Sequence, residues 1–326
     1  MIEDFARLYA AKPSIFVADL HPDYLSTRFA QQLTSGSEEA SPATPRLCQV
    51  QHHFAHALAC VGENELKPPV LGVVWDGTGY GIDHTVWGGE FILVTETCCE
   101  RVGHFRQFPL PGGEAAIQEP RRAALGLLFE LYGEGAQQKK EIPTVGAFTD
   151  SEVALLQRMM LRKLNSPLTS SVGRLFDAVA SLLDLKQRSQ FEGQAAMALE
   201  FALPEREDDE AYDFLVKDAA ASGHFVVDWA AVIEKLLRDR TDEVGSATIS
   251  SKFHNGLADC IVAVAHRVGC PRVALSGGCF QNRYLLERSV RLLRTAGFQP
   301  YWHQRVPPND GGISFGQAVA ALRGIV

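Results

Sequence analysis

The chain has no Cys-x-x-Cys pair. Its seven cysteines are scattered, and only Cys98 and Cys99 are adjacent. Neither a disulfide framework nor a cysteine zinc knuckle is supported by that spacing. Long apolar runs are missing too: the longest stretches, "AALGLLFELY" and "LADCIVAVA", fall well short of the roughly 20 residues a bilayer requires. The opening "MIEDFARLY" is acidic and carries no signal-peptide core, so a cytoplasmic location is expected. No basic stripe with interleaved aromatics occurs, and the net charge is −8. That balance argues against nucleic acid or an anionic membrane as the main partner. A Walker loop, a G-x-G-x-x-G fingerprint and short repeats are also absent. What remains is an ordinary globular composition, 46% hydrophobic and 21% charged over 326 residues, enough for one large two-lobed domain or two smaller ones.

Periodicity reads as an α/β alternation. "SIFVADL" predicts a strand and "PDYLSTRFAQQL" a helix with Pro22 near its start. "TSGSEEASPATP", residues 34–45, reads as a polar loop. "PVLGVVWDG", "TVWGGEFILV" and "CERVGHFRQF" read as an antiparallel meander. Glu114 to about Leu203 reads as mostly helical, and residues 204–211, "PEREDDEA", as an acidic surface loop. The last third alternates helix, strand, helix, strand and a closing helix after "PPNDGG".

Three of the ten histidines crowd into "VQHHFAHALACVG", residues 50–62. If the stretch is helical, His52 and His56 stand one turn apart and can share one divalent ion. His53 points about 100° away and is the expected bystander. Position 53 is His where a metalloprotease helix would carry Glu. A histidine pair needs further ligands. Asp76 ends an apolar run, and Asp310 stands in "VPPNDGGIS", where a helix N-cap is the simpler local reading. Two histidines with one or two aspartates fit Fe(II), Zn or Mn better than Ca or Mg.

Two glycine-rich turns follow predicted strands. In "VVWDGTGYG", Gly77 and Gly79 free backbone N–H groups for phosphate oxygens, and Thr78 offers a hydroxyl. In "VALSGGCFQN", Gly277 and Gly278 lead to a helix beginning near Asn282, whose N-terminus suits an anion. Each turn alone is weak, since glycine after a strand usually marks only a tight turn. Together they suggest a cleft between two lobes.

In order along the chain stand "VADLHPDYLSTRFA", "QHHFAHALA", "DGTGYG", "WGGEF", "PLPGGEAAIQEPRRAAL", "SSVGRLFDAVASLL", "FEGQAAMALE", "LSGGCFQNRYLLE" and "VPPNDGGISFGQA". This series closely resembles the C-terminal module of the HypF carbamoyltransferases of nickel–iron hydrogenase maturation. The resemblance implies an α/β, two-lobed fold of the actin, sugar-kinase and heat-shock-ATPase kind, with a nucleotide and metal cleft between the lobes. Residues 1–145 are expected to form the first lobe, without the β-hairpin that precedes "DLHPDY" in the family, and 146–326 the second. By the same resemblance His52, His56, Asp76 and Asp310 are metal ligands, with His52, His56 and Asp310 central to catalysis. Gly173 and Asp177 fall on the ribose-recognising element, Glu192 and Gly193 on the "FEGQ" turn, and Gly277, Gly278 and Asn282 on the adenine side. An ion pair with Arg174 is the alternative use of Asp177.

The implied cofactors are a divalent transition metal, Fe or Zn, and an ATP- or AMP-type nucleotide, with Mg as a candidate companion. The implied activity is carbamoyl transfer from carbamoyl adenylate, made from carbamoyl phosphate and ATP, to the C-terminal cysteine of a HypE-like acceptor. The alternatives are a hydrolase of carbamoyl phosphate or carbamoyl adenylate, and a non-catalytic docking module for HypE. By the same resemblance the attacking sulfur is the partner's, and none of this chain's cysteines stands in a Cys–His nucleophile motif.

Overall fold

A computed structural model describes residues 2–10, 12–34, 45–206, 209–219 and 223–325. Most of the expected 34–45 loop, and residues 207 and 208 of the acidic loop, lie outside the described residues. Strands β1 (Ile15–Asp19) and β2 (Arg46–Val50) form a parallel pair, with the helix Leu25–Thr34 between them in sequence. The histidine helix runs His52–Glu63 and is capped by Gln51, whose side chain accepts the Phe54 N–H. Strands β3 (Val70–Tyr80), β4 (Val86–Val94) and β5 (Cys99–Phe105) are the antiparallel meander the pattern predicted.

Further along come β6 (Phe108–Pro109) and β7 (Leu168–Thr169), a short pair at one side of the meander. A hairpin follows, β8 (Leu215–Asp218) and β9 (Phe225–Asp228), then β10 (Arg272–Ser276) and β11 (Gln299–Trp302). The main sheet runs β11-β10-β3-β4-β5-β9-β8. Its β3–β10 pairing is parallel. The 145/146 boundary therefore divides one continuous sheet, because a strand from each side hydrogen-bonds to the other. Among the described residues no helix is long and apolar enough to cross a membrane.

Strand β3 shows why this sheet is central. Leu71, Val73 and Trp75 point into one apolar core, while Val70 and Val74 point into another. Alternating side chains on a strand reach opposite faces, and burial on both faces explains its near-continuous apolar run. The larger core lies under the helices Val172–Leu182 and Ser246–Val268. The smaller core takes the histidine helix and the last helix, Ile313–Arg323. Those two helices approach closely. A Cβ on Gly316 would run into the Ala55 carbonyl, and one on Gly62 would stand 2.6 Å from Val319 Cγ2. This contact brings the turn preceding the last helix over the histidines.

Candidate metal and nucleotide site

One helical turn aims His52 and His56 at the same point. Asp76 reaches it because the β3–β4 register shifts between Trp75 and Gly79, a bulge that swings residues 76–78 out of the ladder. Asp310 reaches it from the turn before the last helix. His52 Nε2 lies 3.5 Å from an oxygen of Asp76 and 3.5 Å from one of Asp310. For His56 Nε2 the distances are 3.4 and 3.6 Å. All four ligand atoms lie within 4.8 Å of one another. The N-cap expected of Asp310 is supplied by its neighbour: Asn309 Oδ1 accepts the Gly311 N–H, which leaves the Asp310 carboxylate turned to the histidines.

Support behind the ligands is extensive. Asp19, at the end of β1, accepts from His52 Nδ1–H at 2.9 Å, which leaves Nε2 with its lone pair toward the centre. Asp76 Oδ1 accepts the Gly278 N–H at 3.0 Å. The Nε2 atoms of His52 and His56 are buried and have no hydrogen-bond partner. Buried polar atoms are seldom left so, and two imidazoles with two carboxylates suit a divalent transition metal. Burial opposes a charge on His52, yet Asp19, Asp310 and Asp76 hold its pKa well above the ordinary range. His56 is likewise raised, burial being outweighed by Asp310 and Asp76. Burial would raise Asp76, but His52 and His56 hold it well below; the same histidines depress Asp310. A cation among these four groups would neutralise the carboxylates, and the imidazoles must be deprotonated to ligate it. His53 stays outside the ligand set; burial and the neighbouring His52 push its pKa well down.

A cleft of about 530 Å³ opens onto this cluster. Asp76, Gly77 and Thr78 line it from β3, and Gly278 and Asp310 from the two later turns. Gly173 and Asp177 enter from the helix Val172–Leu182, and Glu192 and Gly193 from the turn before the helix Gln194–Phe201. Gly173 is needed for close approach, since a Cβ there would stand 2.9 Å from the Asp76 carbonyl oxygen. Ser171 Oγ fastens the same turn, 2.7 and 2.6 Å from the carbonyl oxygens of Asp76 and Gly77.

Three residues expected at the nucleotide have packing or capping contacts of their own. Gly79 makes room for the histidine rings: a Cβ there would stand 2.8 Å from His52 Cδ2 and collide with His53. Gly277 has φ +102 and packs against the Trp75 carbonyl, an approach only glycine allows. Asn282 caps the helix Arg283–Thr295 by accepting the Leu285 N–H, and its amide lies 2.9 Å from His254 Nε2. None of the three lines the cleft.

Asp177 and Arg174 face each other at 3.2 Å, both buried, so the ion pair weighed from sequence is present. It is incomplete. Asp177 Oδ2 and Arg174 Nε and Nη1 have no aligned hydrogen-bond partner. Burial pushes the Asp177 carboxyl up to about 6, with Arg174 opposing and Glu192 adding to the rise. Cys279 also lines the cleft, but burial and the nearby Asp76 keep its pKa well above the ordinary thiol range. It is a poor source of thiolate. Tyr24, Arg174, Gln281 and Asn309 also line it, without having been singled out as ligands from sequence. Asp19 was also missed; its signal was the one Asp76 gave, an acid at the end of an apolar strand.

Fold and site together define a two-lobed α/β protein of the actin and heat-shock-ATPase class, with a His–Asp cluster at its cleft. Residues 72–317 match the family model "Carbamoyltransferase, Kae1-like Domain, second subdomain", and residues 1–63 match "HypF Kae1-like domain". The chain belongs to this HypF Kae1-like carbamoyltransferase family. It is 38% identical to the carbamoyltransferase HypF of a Synechocystis species, over 99% of this chain and 42% of that one. A carbamoyltransferase HypF homolog of Cupriavidus necator is 38% identical over 94% of this chain and 77% of its own length. The crystal structure of a full-length HypF in its phosphate- and nucleotide-bound form superposes with a TM-score of 0.88 at 37% identity, covering 98% of this chain and 40% of that one. HypF from T. kodakarensis superposes at 0.82 with 29% identity, over 95% and 40%. The chain thus spans about two fifths of the length of several relatives it matches.

Proposed function

We propose that this chain is a carbamoyl-transfer module, passing the carbamoyl group of carbamoyl adenylate to the C-terminal cysteine of a HypE-like acceptor in the cytoplasm. The observation that carries this reading is the convergence of His52, His56, Asp76 and Asp310 at the mouth of a cleft walled by Gly77, Thr78 and Gly278. It is supported by relatives named carbamoyltransferases and by a full-length HypF crystallised with phosphate and nucleotide. His52, His56, Asp76 and Asp310 would hold the metal, Fe or Zn by the chemistry of the donors. A metal bound there supplies a Lewis acid for a carbonyl or phosphoryl oxygen.

The chain's own groups do the rest. Backbone N–H groups around Gly77 and the Thr78 hydroxyl receive phosphate oxygens. Arg174 adds a buried positive charge beside Gly77, with its Nη2 3.5 Å from where a Cβ on that glycine would stand. Asp177 takes ribose hydroxyls with its unsatisfied oxygen, a use that repays the burial of a carboxylate. In the transfer step the acceptor's thiolate attacks the carbamoyl carbon. A C–S bond forms, the bond to the adenylate oxygen breaks, and AMP leaves with that electron pair. Cys279, held protonated, takes no part.

The test is mass spectrometry of a HypE-type acceptor incubated with this chain, a YrdC-like adenylating domain, ATP and carbamoyl phosphate. A carbamoyl adduct on the acceptor's C-terminal cysteine, lost in His52→Ala and Asp310→Ala, is expected. Absence of adduct beside a competent full-length enzyme contradicts transfer. Acceptor-independent turnover would instead mark a hydrolase.

A further inference from the structure

Glu63 ends the helix that carries His52 and His56, and its carboxylate is almost wholly engaged by one distant segment. Oε1 accepts the backbone N–H groups of Gln304, Arg305 and Val306 at 3.0, 2.6 and 3.2 Å. Oε2 accepts from His303 Nδ1–H at 2.9 Å. The Glu63 carbonyl accepts from Arg305 Nη2 at 3.0 Å. The Glu63 and His303 side chains are only 3% and 2% exposed. On its other side, His303 Nε2 lies 2.8 Å from Ser276 Oγ, which in turn lies 2.8 Å from the His56 carbonyl oxygen. The anchored segment continues through Pro307 and Pro308 into Asn309 and Asp310. Prolines fix φ and stiffen that path, and the Pro308 carbonyl is held by the Gly277 N–H at 3.0 Å.

Four donors from residues 303–306 converge on this one carboxylate, three on Oε1 and one on Oε2. Three successive N–H groups that follow a strand end would otherwise need separate partners. One residue of the histidine helix therefore sets where the Asp310 segment begins, and the Ser276 bridge ties the same network to the backbone of His56. We infer that Glu63 is a positioning residue that holds Asp310 at ligand distance from His52 and His56. The inference rests on the reading of those groups as a metal site.

Zinc affinity, measured by competition with a chromophoric chelator, tests it in the wild-type chain, Glu63→Ala, Asp310→Ala and the double variant. Glu63→Ala is expected to weaken zinc by about 10- to 100-fold, the range for groups that orient a ligand. On top of Asp310→Ala it should add less than about 3-fold, because the two act through one ligand. A similar loss in both backgrounds, or wild-type affinity in Glu63→Ala, overturns the inference. Should Glu63→Ala fail to fold by circular dichroism, Glu63→Gln replaces it. The Gln oxygen can still accept the three N–H groups, and His303 can move its proton to Nε2 to meet the amide. Its loss is expected to be smaller, with the same dependence on Asp310. A wild-type chain that binds no zinc removes the metal reading itself, whereas wild-type affinity in Glu63→Ala removes only the positioning role.

Discussion

The two ends of the cleft are built differently. At the histidine end several ligands are held from behind: His52 by Asp19, Asp76 by the Gly278 N–H, and Asp310 by a segment tied down at Glu63. At the other end Arg174 and Asp177 are equally buried, yet both keep atoms without an aligned partner. The first end is braced by the fold itself, as the proposed metal site would require. The second has polar capacity to spare, which a nucleotide's hydroxyls and phosphates would fill. Buried groups left half-satisfied cost stability, so the contrast separates what the fold holds in place from what a ligand completes.

The largest expected effect comes from removing a ligand. His56→Ala should lower metal affinity by more than about 100-fold while leaving nucleotide affinity within about 3-fold, by analogy with the loss of a buried coordinating group. Titration calorimetry with zinc and with AMP checks both halves, and equal losses of the two would break the comparison. Next is Asp19→Asn, which preserves shape but weakens the hold on the His52 tautomer; metal affinity should fall by about 10-fold.

Asp177→Asn should do the reverse, weakening nucleotide by about 10-fold, or about 1.4 kcal/mol, and leaving metal unchanged. It also carries a pH signature. Because the folded carboxyl is raised to about 6 from an unfolded value near 4, the folded state binds the proton more tightly. Its contribution to stability is full below about pH 4 and is lost as pH rises through about 6, a change on the order of 2–3 kcal/mol. Denaturant melts of wild type and Asp177→Asn between those pH values should therefore converge at the lower one, with the variant the more stable at the higher. The smallest effect is expected at the bystander: His53→Gln should leave metal affinity within about 3-fold, with any loss appearing as a stability change of about 1 kcal/mol.

The histidine helix and the meander were legible because their periodicities are local and strong. So was the His52–His56 pair, a consequence of i, i+4 geometry alone. The approach of Asp310 was not legible from its neighbourhood, where an N-cap was the better guess. What turns it inward is a contact far away in sequence, Gly316 against Ala55, together with the cap taken by Asn309. Gly79 and Gly277 show a related difficulty. A glycine that admits a phosphate and one that admits a histidine ring or a carbonyl look alike in sequence. Asn282, expected on the adenine side, also caps a helix. The hairpin of β8 and β9 drew no reading, and the division at 145/146 overlooked a sheet whose β3 pairs in parallel with β10. Parallel pairing over such a separation leaves no local trace.

That His52, His56, Asp76 and Asp310 act as one metal site is the claim on which the account stands. Elemental analysis of the purified chain after zinc loading and desalting tests it most directly. The account predicts a single tightly held ion in the wild type, lost when any one of the four is replaced by alanine. Retention of that ion in His52→Ala and Asp310→Ala would contradict it.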